Sequence, residues 1–184
     1  MTNRTSAVRP TDRKRVPWKN GEGVTEEIAA GDGTTPLWRV SIADLSSQPS
    51  TFSAFEGQHR VFTVIGTHGA TLDWDGMKTD VEPFQPFPFD GSLPPKCTTS
   101  GPTRALNVMV DKSAGTATVS VRSVGSEHIE TDRCAITVVY VAGGSVAASG
   151  TEAQVGDCLV VDHDSVVLRG NADVLIARIQ LTTG

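Results

Sequence analysis

The sequence predicts an all-β protein, built as a barrel or a double sheet, and three observations carry that prediction. Helical periodicity is almost absent along the 184 residues. Short runs rich in β-branched and aromatic residues recur instead, about every ten residues. The breaks between them hold Gly, Pro, Asp, Asn and Ser, which suit the dihedral angles of tight turns. An apolar fraction of 38% can supply the core of one large β domain or of two small fused ones.

Taken in order, residues 1–15 read as a flexible leader. They lack the apolar stretch of a signal peptide and end in the basic triplet Arg13-Lys14-Arg15. Strands follow at 25–30 and 37–44, with Gly31-Asp32-Gly33 turning the chain between them. Next come 59–65, 70–72 and 78–81, the last two joined at Asp75-Gly76. In residues 82–95, Pro83, Pro86, Pro88, Pro94 and Pro95 interleave with Phe84, Phe87 and Phe89, so no hydrogen-bonded ladder is expected there. That stretch is either a packed crossover or an aromatic cover over a cavity mouth. Strands resume at 104–110, 116–124, 135–141 and 145–148, with Gly143-Gly144 between the last two. The final runs are 158–161, entered through Gly156-Asp157, then 166–168 and 174–181, separated at Gly170-Asn171. Two related barrel units, 16–115 and 116–184, account for this number of strands.

Several function classes are disfavoured. A net charge of -5, with no basic cluster beyond the triplet, argues against nucleic acid as a partner. No window approaches 18 uninterrupted apolar residues, so no membrane partner is expected. Three cysteines without CxxC spacing suit reduced thiols in the cytoplasm. His59, His68, His128 and His163 are isolated, so neither a metal nor another cofactor is expected. No GxSxG nucleophile motif is present, and Gly21-Glu22-Gly23 leads into a strand, not a phosphate-binding helix.

Alternation along strands assigns faces. Thr25 and Glu27 share one face of the first strand, and Arg39, Ser41 and Ala43 share one face of the second. A hairpin centred near Gly33 would put Glu27 opposite Arg39 and Thr25 opposite Ser41. That face reads either as a polar floor for a small anion or as a solvated ion pair beside two hydroxyls. In the 104–110 strand Asn107 lies among apolar residues, and a ligand or a backbone group must satisfy its amide if it is buried. Arg60 is a further candidate anion contact, or else an arginine at a solvated strand end. Glu26 and Glu27 point to opposite faces and cannot form one acid–base couple.

Four blocks, in this order, resemble the HutD/Ves family. They are Pro17-Trp18-Lys19-Asn20-Gly21-Glu22-Gly23 with its following strand, Trp38-Arg39-Val40-Ser41-Ile42-Ala43, the stretch from Phe52-Ser53-Ala54-Phe55 to His59-Arg60, and Gly101-Pro102-Thr103-Arg104-Ala105-Leu106-Asn107. They cover about residues 16–110, whereas the second half is similar to the family in length and β character. The resemblance implies a cupin-type double-stranded β-helix (jelly roll), with two cupin barrels in one chain and no metal triad. It also implies an association with histidine utilisation. The expected role is a regulator or sensor that binds a small carboxylated metabolite such as urocanate or formylglutamate.

By motif position the implied ligand-binding residues are Lys19, Asn20, Thr25, Glu27, Arg39, Ser41, Arg60 and Asn107. The alternative is a metal-independent cupin enzyme, an isomerase, lyase or hydrolase, with Glu27 as general base. A third reading is a protein-binding module working through sheet edges or the Pro/Phe stretch, and a homodimer is among the expected assemblies. Two positions depart from the family pattern: Glu22 stands in place of a glycine, and Ala105 in place of an aspartate.

Overall fold

The computed structural model describes residues 4–18, 23–125 and 129–182. Among these it forms seventeen strands and one 3-10 turn, Pro10–Asp12. The chain opens on β1 (Thr5–Val8) and β2 (Lys14–Pro17). Next come β3 (Val24–Ala30), β4 (Trp38–Leu45), β5 (Ser50–Thr51) and β6 (Gln58–Val64). These are followed by β7 (Ala70–Trp74), β8 (Met77–Val81), β9 (Phe87–Asp90), β10 (Lys96–Thr99) and β11 (Thr103–Asp111). The remainder is β12 (Gly115–Val124), β13 (Ile129–Glu130), β14 (Ile136–Ala148), β15 (Thr151–Gln154), β16 (Cys158–Asp162) and β17 (Val167–Leu181). Two compact units result, Lys14–Thr116 and the remainder on either side of it.

The Lys14–Thr116 unit has two sheets. One runs β2-β3-β4-β11-β6-β9 and the other β5-β10-β7-β8. Phe62, Val64 and Ala105 of the larger sheet share a buried cluster with Leu72, Val81 and Cys97 of the smaller. Phe52 packs its ring 5.5 Å from that of Phe62. Each such large side chain removed from water contributes about 1.5–3 kcal/mol. The predicted turn at Asp75-Gly76 joins β7 to β8, with φ of 52° and 97°. Asp73 steadies it by accepting the Gly76 N–H at 2.7 Å. The other unit pairs β1-β16-β14-β17-β12 around its own cluster, which includes Val139, Val141, Leu159, Val174 and Ile176.

Three expectations need correction. The leader is structured where it is described: β1 pairs with β16 from Thr5↔Val161 to Val8↔Cys158, and β2 pairs with β3. The basic triplet belongs there because Arg15 lies 4.0 Å from Glu26 and 3.8 Å from Asp44.

The Pro/Phe stretch does carry a ladder, β9 on β6, from His59↔Asp90 to Phe62↔Phe87. Gly91 donates to the Gln58 carbonyl, which fixes the alternation so that Pro88 faces away from β6, at the margin of the sheet. A proline is tolerated at such a position.

Gly143-Gly144 and Gly170-Asn171 do not end strands, since β14 and β17 run through them as partners. A Cβ on Gly144 would sit 2.0 Å from the Asn171 oxygen, and one on Gly170 2.3 Å from that of Ser145. These glycines serve an irregular close approach, with a register shift between Val141 and Gly143. The turn falls later, at Ser149-Gly150.

Candidate functional site

On the inner face of the larger sheet, register stacks polar side chains in rows across neighbouring strands. One row is Ala30, Arg39, Met109 and Arg60; the next is Glu27, Ser41, Asn107 and Phe62. The row after that, Thr25, Ala43, Ala105 and Val64, turns apolar toward the core. The expected register was therefore wrong. Glu27 faces Ser41, Thr25 faces Ala43, and Arg39 faces Ala30, with a register shift between Glu27 and Ala29. The shared face survives because the offset is two residues, a full strand period.

These rows floor a cavity of about 490 Å³. Thr25, Glu27, Arg39, Ser41, Arg60 and Asn107 all line it. Lys19 and Asn20, with Glu22 beside them, lie outside the described residues. The Trp18 indole closes one wall and donates from Nε1 to Thr25 Oγ1 at 2.7 Å. Gly23 permits this, since a Cβ there would meet the Trp18 ring at 3.0 Å.

Arg60 is the least expected member. It is buried, not at a solvated strand end, and donates from Nε and Nη2 to Asn107 Oδ1 at 2.9 and 2.6 Å. Its guanidinium carbon lies 4.4 Å from the Phe52 ring centroid and 5.3 Å from that of Phe89. Burial first, and then the charge of Arg39, pull its pKa down to about 9, with Cys97 opposing. Burial likewise pushes the Cys97 thiol up to about 11, which keeps it protonated at neutral pH.

Arg39 is half-buried, reaches Met109 Sδ at 3.5 Å and lies 5.4 Å from the Phe55 ring centroid. Among the described residues, no carboxylate comes within 4.0 Å of Arg39 or Arg60, so the anticipated Glu27–Arg39 pair does not form. Among the described residues that line it, the cavity thus has two guanidinium charges with no carboxylate paired to either, and one carboxylate, Glu27, not in contact with them. Among the described residues, no group of three His, Cys, Asp or Glu side chains is placed to hold a metal ion. No described helix is long and apolar enough to cross a membrane.

The HutD family profile matches residues 10–177. The chain belongs to the HutD family. HutD from Pseudomonas fluorescens SBW25 (formate condition) is 30% identical, with a TM-score of 0.85 over 97% of this chain and 100% of that one. An uncharacterized 21.2 kDa protein from the hutC 3′ region of Pseudomonas putida is 40% identical over 94 residues. That match spans about half of each protein, 49% in both cases. A cupin 2 conserved barrel domain protein from Leptotrichia buccalis shares the fold at 12% identity, with a TM-score of 0.63 over 90% of this chain and 92% of that one. This HutD protein accordingly has an all-β cupin fold, and its family is associated with histidine utilisation.

What sequence reasoning missed in this HutD chain is the aromatic support. Phe52, Phe55 and Phe89 cover the two guanidinium groups. The signal was available for the first two, which sit in the Phe52-Ser53-Ala54-Phe55 block preceding Arg60. Phe89 was hidden in the Pro-rich stretch.

Proposed function

We propose that this HutD protein binds a small carboxylated metabolite in the cavity of its Lys14–Thr116 unit and acts as a sensor or regulator in histidine utilisation. The observation that carries the reading is the pair Arg39 and Arg60, without a carboxylate partner among the described residues, on one cavity floor beside Ser41 and Asn107. A guanidinium without a carboxylate partner in a partly dehydrated cavity is a receptor for an anion, because water there screens poorly. A volume of about 490 Å³ suits a small metabolite.

Glu27 narrows the class. It lines the same cavity in the row of Ser41 and Asn107. A ligand with a carboxylate at one end and an N–H at the other would satisfy both ends, as urocanate does; formylglutamate offers its side-chain carboxylate and its amide N–H, with a second carboxylate beside the latter. Cys97, Cys134 and Cys158 are not joined in disulfides, which suits a reducing compartment, the cytoplasm.

Calorimetric titration of chelator-treated protein with urocanate and formylglutamate tests this reading. Saturable binding of either acid supports it; heats indistinguishable from dilution for both would defeat it. The second reading, catalysis with Glu27 as general base, rests on the position of that carboxylate in the cavity. Following the same mixtures by NMR decides it, since turnover lost in Glu27→Gln would mark an enzyme.

A further inference from the structure

Arg60 has a relation to Asn107 that an anion contact alone does not require. Its side chain is among the most buried charged groups of the described residues, at 7% exposure. Such a charge is costly to dehydrate unless its donors are occupied. Here Nε and Nη2 converge on a single neutral acceptor, Asn107 Oδ1. The rings of Phe52 and Phe89 supply the rest through their electron-rich faces.

The consequence falls on Asn107. A flipped amide would place its NH₂ against the guanidinium, donor against donor, so the orientation is dictated. Among the described residues, Nδ2 is left with one long contact, 3.4 Å to the Ala105 carbonyl, on the floor of the cavity. A cation on the amide oxygen also draws electron density away from nitrogen, which strengthens the remaining N–H as a donor.

We propose that Arg60 is a positioning residue which acts through Asn107, fixing its amide as an obligate donor that selects an ionised carboxylate over a carboxamide. Arg39, less buried and with the Met109 sulfur as its hydrogen-bond acceptor among the described residues, is then the direct charge contact. This rests on the carboxylate reading of the cavity, and the experiment separates the two.

The test is a double-mutant cycle of Arg60→Lys and Asn107→Ala, read as the affinity for urocanate and formylglutamate by calorimetry. Arg60→Lys is expected to weaken binding tenfold or more in the wild-type background and less than twofold in the Asn107→Ala background. Equal losses in both backgrounds would overturn the proposal, because a direct contact does not depend on residue 107. Asn107→Asp supplies a second readout, since Arg60 gains a carboxylate partner and the fold should hold. It is expected to invert the preference between urocanate and its carboxamide, now favouring the amide. An unchanged preference would overturn the proposal while leaving the carboxylate reading intact. Wild-type protein that binds neither acid would remove that reading, and this inference with it. If the Ala variant does not fold, a crystal structure of the urocanate complex decides. An Arg60 nitrogen within hydrogen-bond distance of the bound carboxylate would refute the positioning role.

Discussion

Two arginines of one sheet, Arg60 on β6 and Arg104 on the adjacent β11, face opposite sides and meet opposite fates. Arg104 donates from Nε to Asp44 at 2.9 Å and from Nη2 to Glu26 at 2.8 Å. Burial draws its pKa down, but the Asp44 hydrogen bond and the charges of Glu26 and Asp44 outweigh that and raise it above the ordinary arginine value. Arg60, more deeply buried, has among the described residues an amide and two aromatic rings as partners, and its pKa falls to about 9. The difference separates an arginine that is structural from one whose charge is still available. Arg104 is neutralised where it stands, whereas Arg60 and its neighbour Arg39 have no carboxylate partner among the described residues, the difference on which the proposed carboxylate binding rests.

Substitutions can break this comparison from either side. The largest effect is expected for Arg39→Ala, which should weaken carboxylate binding by about 2–4 kcal/mol, roughly 30- to 1000-fold, if the contact is a desolvated charge pair. Its melting temperature should barely move, and calorimetry of the wild type and variant at one pH checks both. Arg104→Ala should do the reverse. It removes an ion-pair partner 2.8 Å from Glu26, a residue 8% exposed. Because the Arg104 side chain is itself 36% exposed, solvent screening reduces the cost to about 1–2 kcal/mol. Urea denaturation should show that loss while ligand affinity stays at the wild-type level.

A smaller effect should sharpen the picture at the far end of the cavity. Glu27→Gln is expected to cost urocanate about 1 kcal/mol, some fivefold, if the carboxylate accepts the ligand's N–H. Cinnamate, which offers no such donor, should bind both proteins equally, and competition titration compares the pairs.

The smallest effect lies in the acid range. A hydrogen bond from Lys112, then the backbone N–H and hydroxyl of Ser92, hold Asp90 down to about 2 from 3.8. Its folded pKa is depressed, so its contribution is complete above 3.8 and is lost as pH falls toward 2. Lys112→Ala should flatten that part of the stability profile in pH-dependent thermal melts.

Much of the site was legible because strand alternation is a strict rule. Thr25 with Glu27, Arg39 with Ser41, and Asn107 could each be assigned to a face from spacing alone. Register was not legible, since it depends on how β3 accommodates an extra residue near Ile28, and nothing local announces that. The burial of Arg60 was hidden for a different reason. Its partners, Asn107, Phe52 and Phe89, come from three distant parts of the chain, one of them disguised by prolines. β2 escaped notice because a charge-rich segment reads as solvated until its carboxylates, here Glu26 and Asp44, are found across the sheet, and β1 because its partner β16 lies near the far end of the sequence. At Gly143-Gly144 and Gly170-Asn171 turn chemistry was read correctly as backbone freedom but assigned the wrong use.

Pro88 has a consequence beyond fitting a proline into β9. The outward row of that margin lacks the N–H that an incoming extended segment would need at its centre. Asp90, two residues on, adds a charge at the same border. Any self-association of this protein by continuing the sheet past Pro88 would meet a missing donor and would have to dehydrate the Asp90–Lys112 ion pair. That border is therefore guarded against the cross-β contacts that turn open β proteins into aggregates.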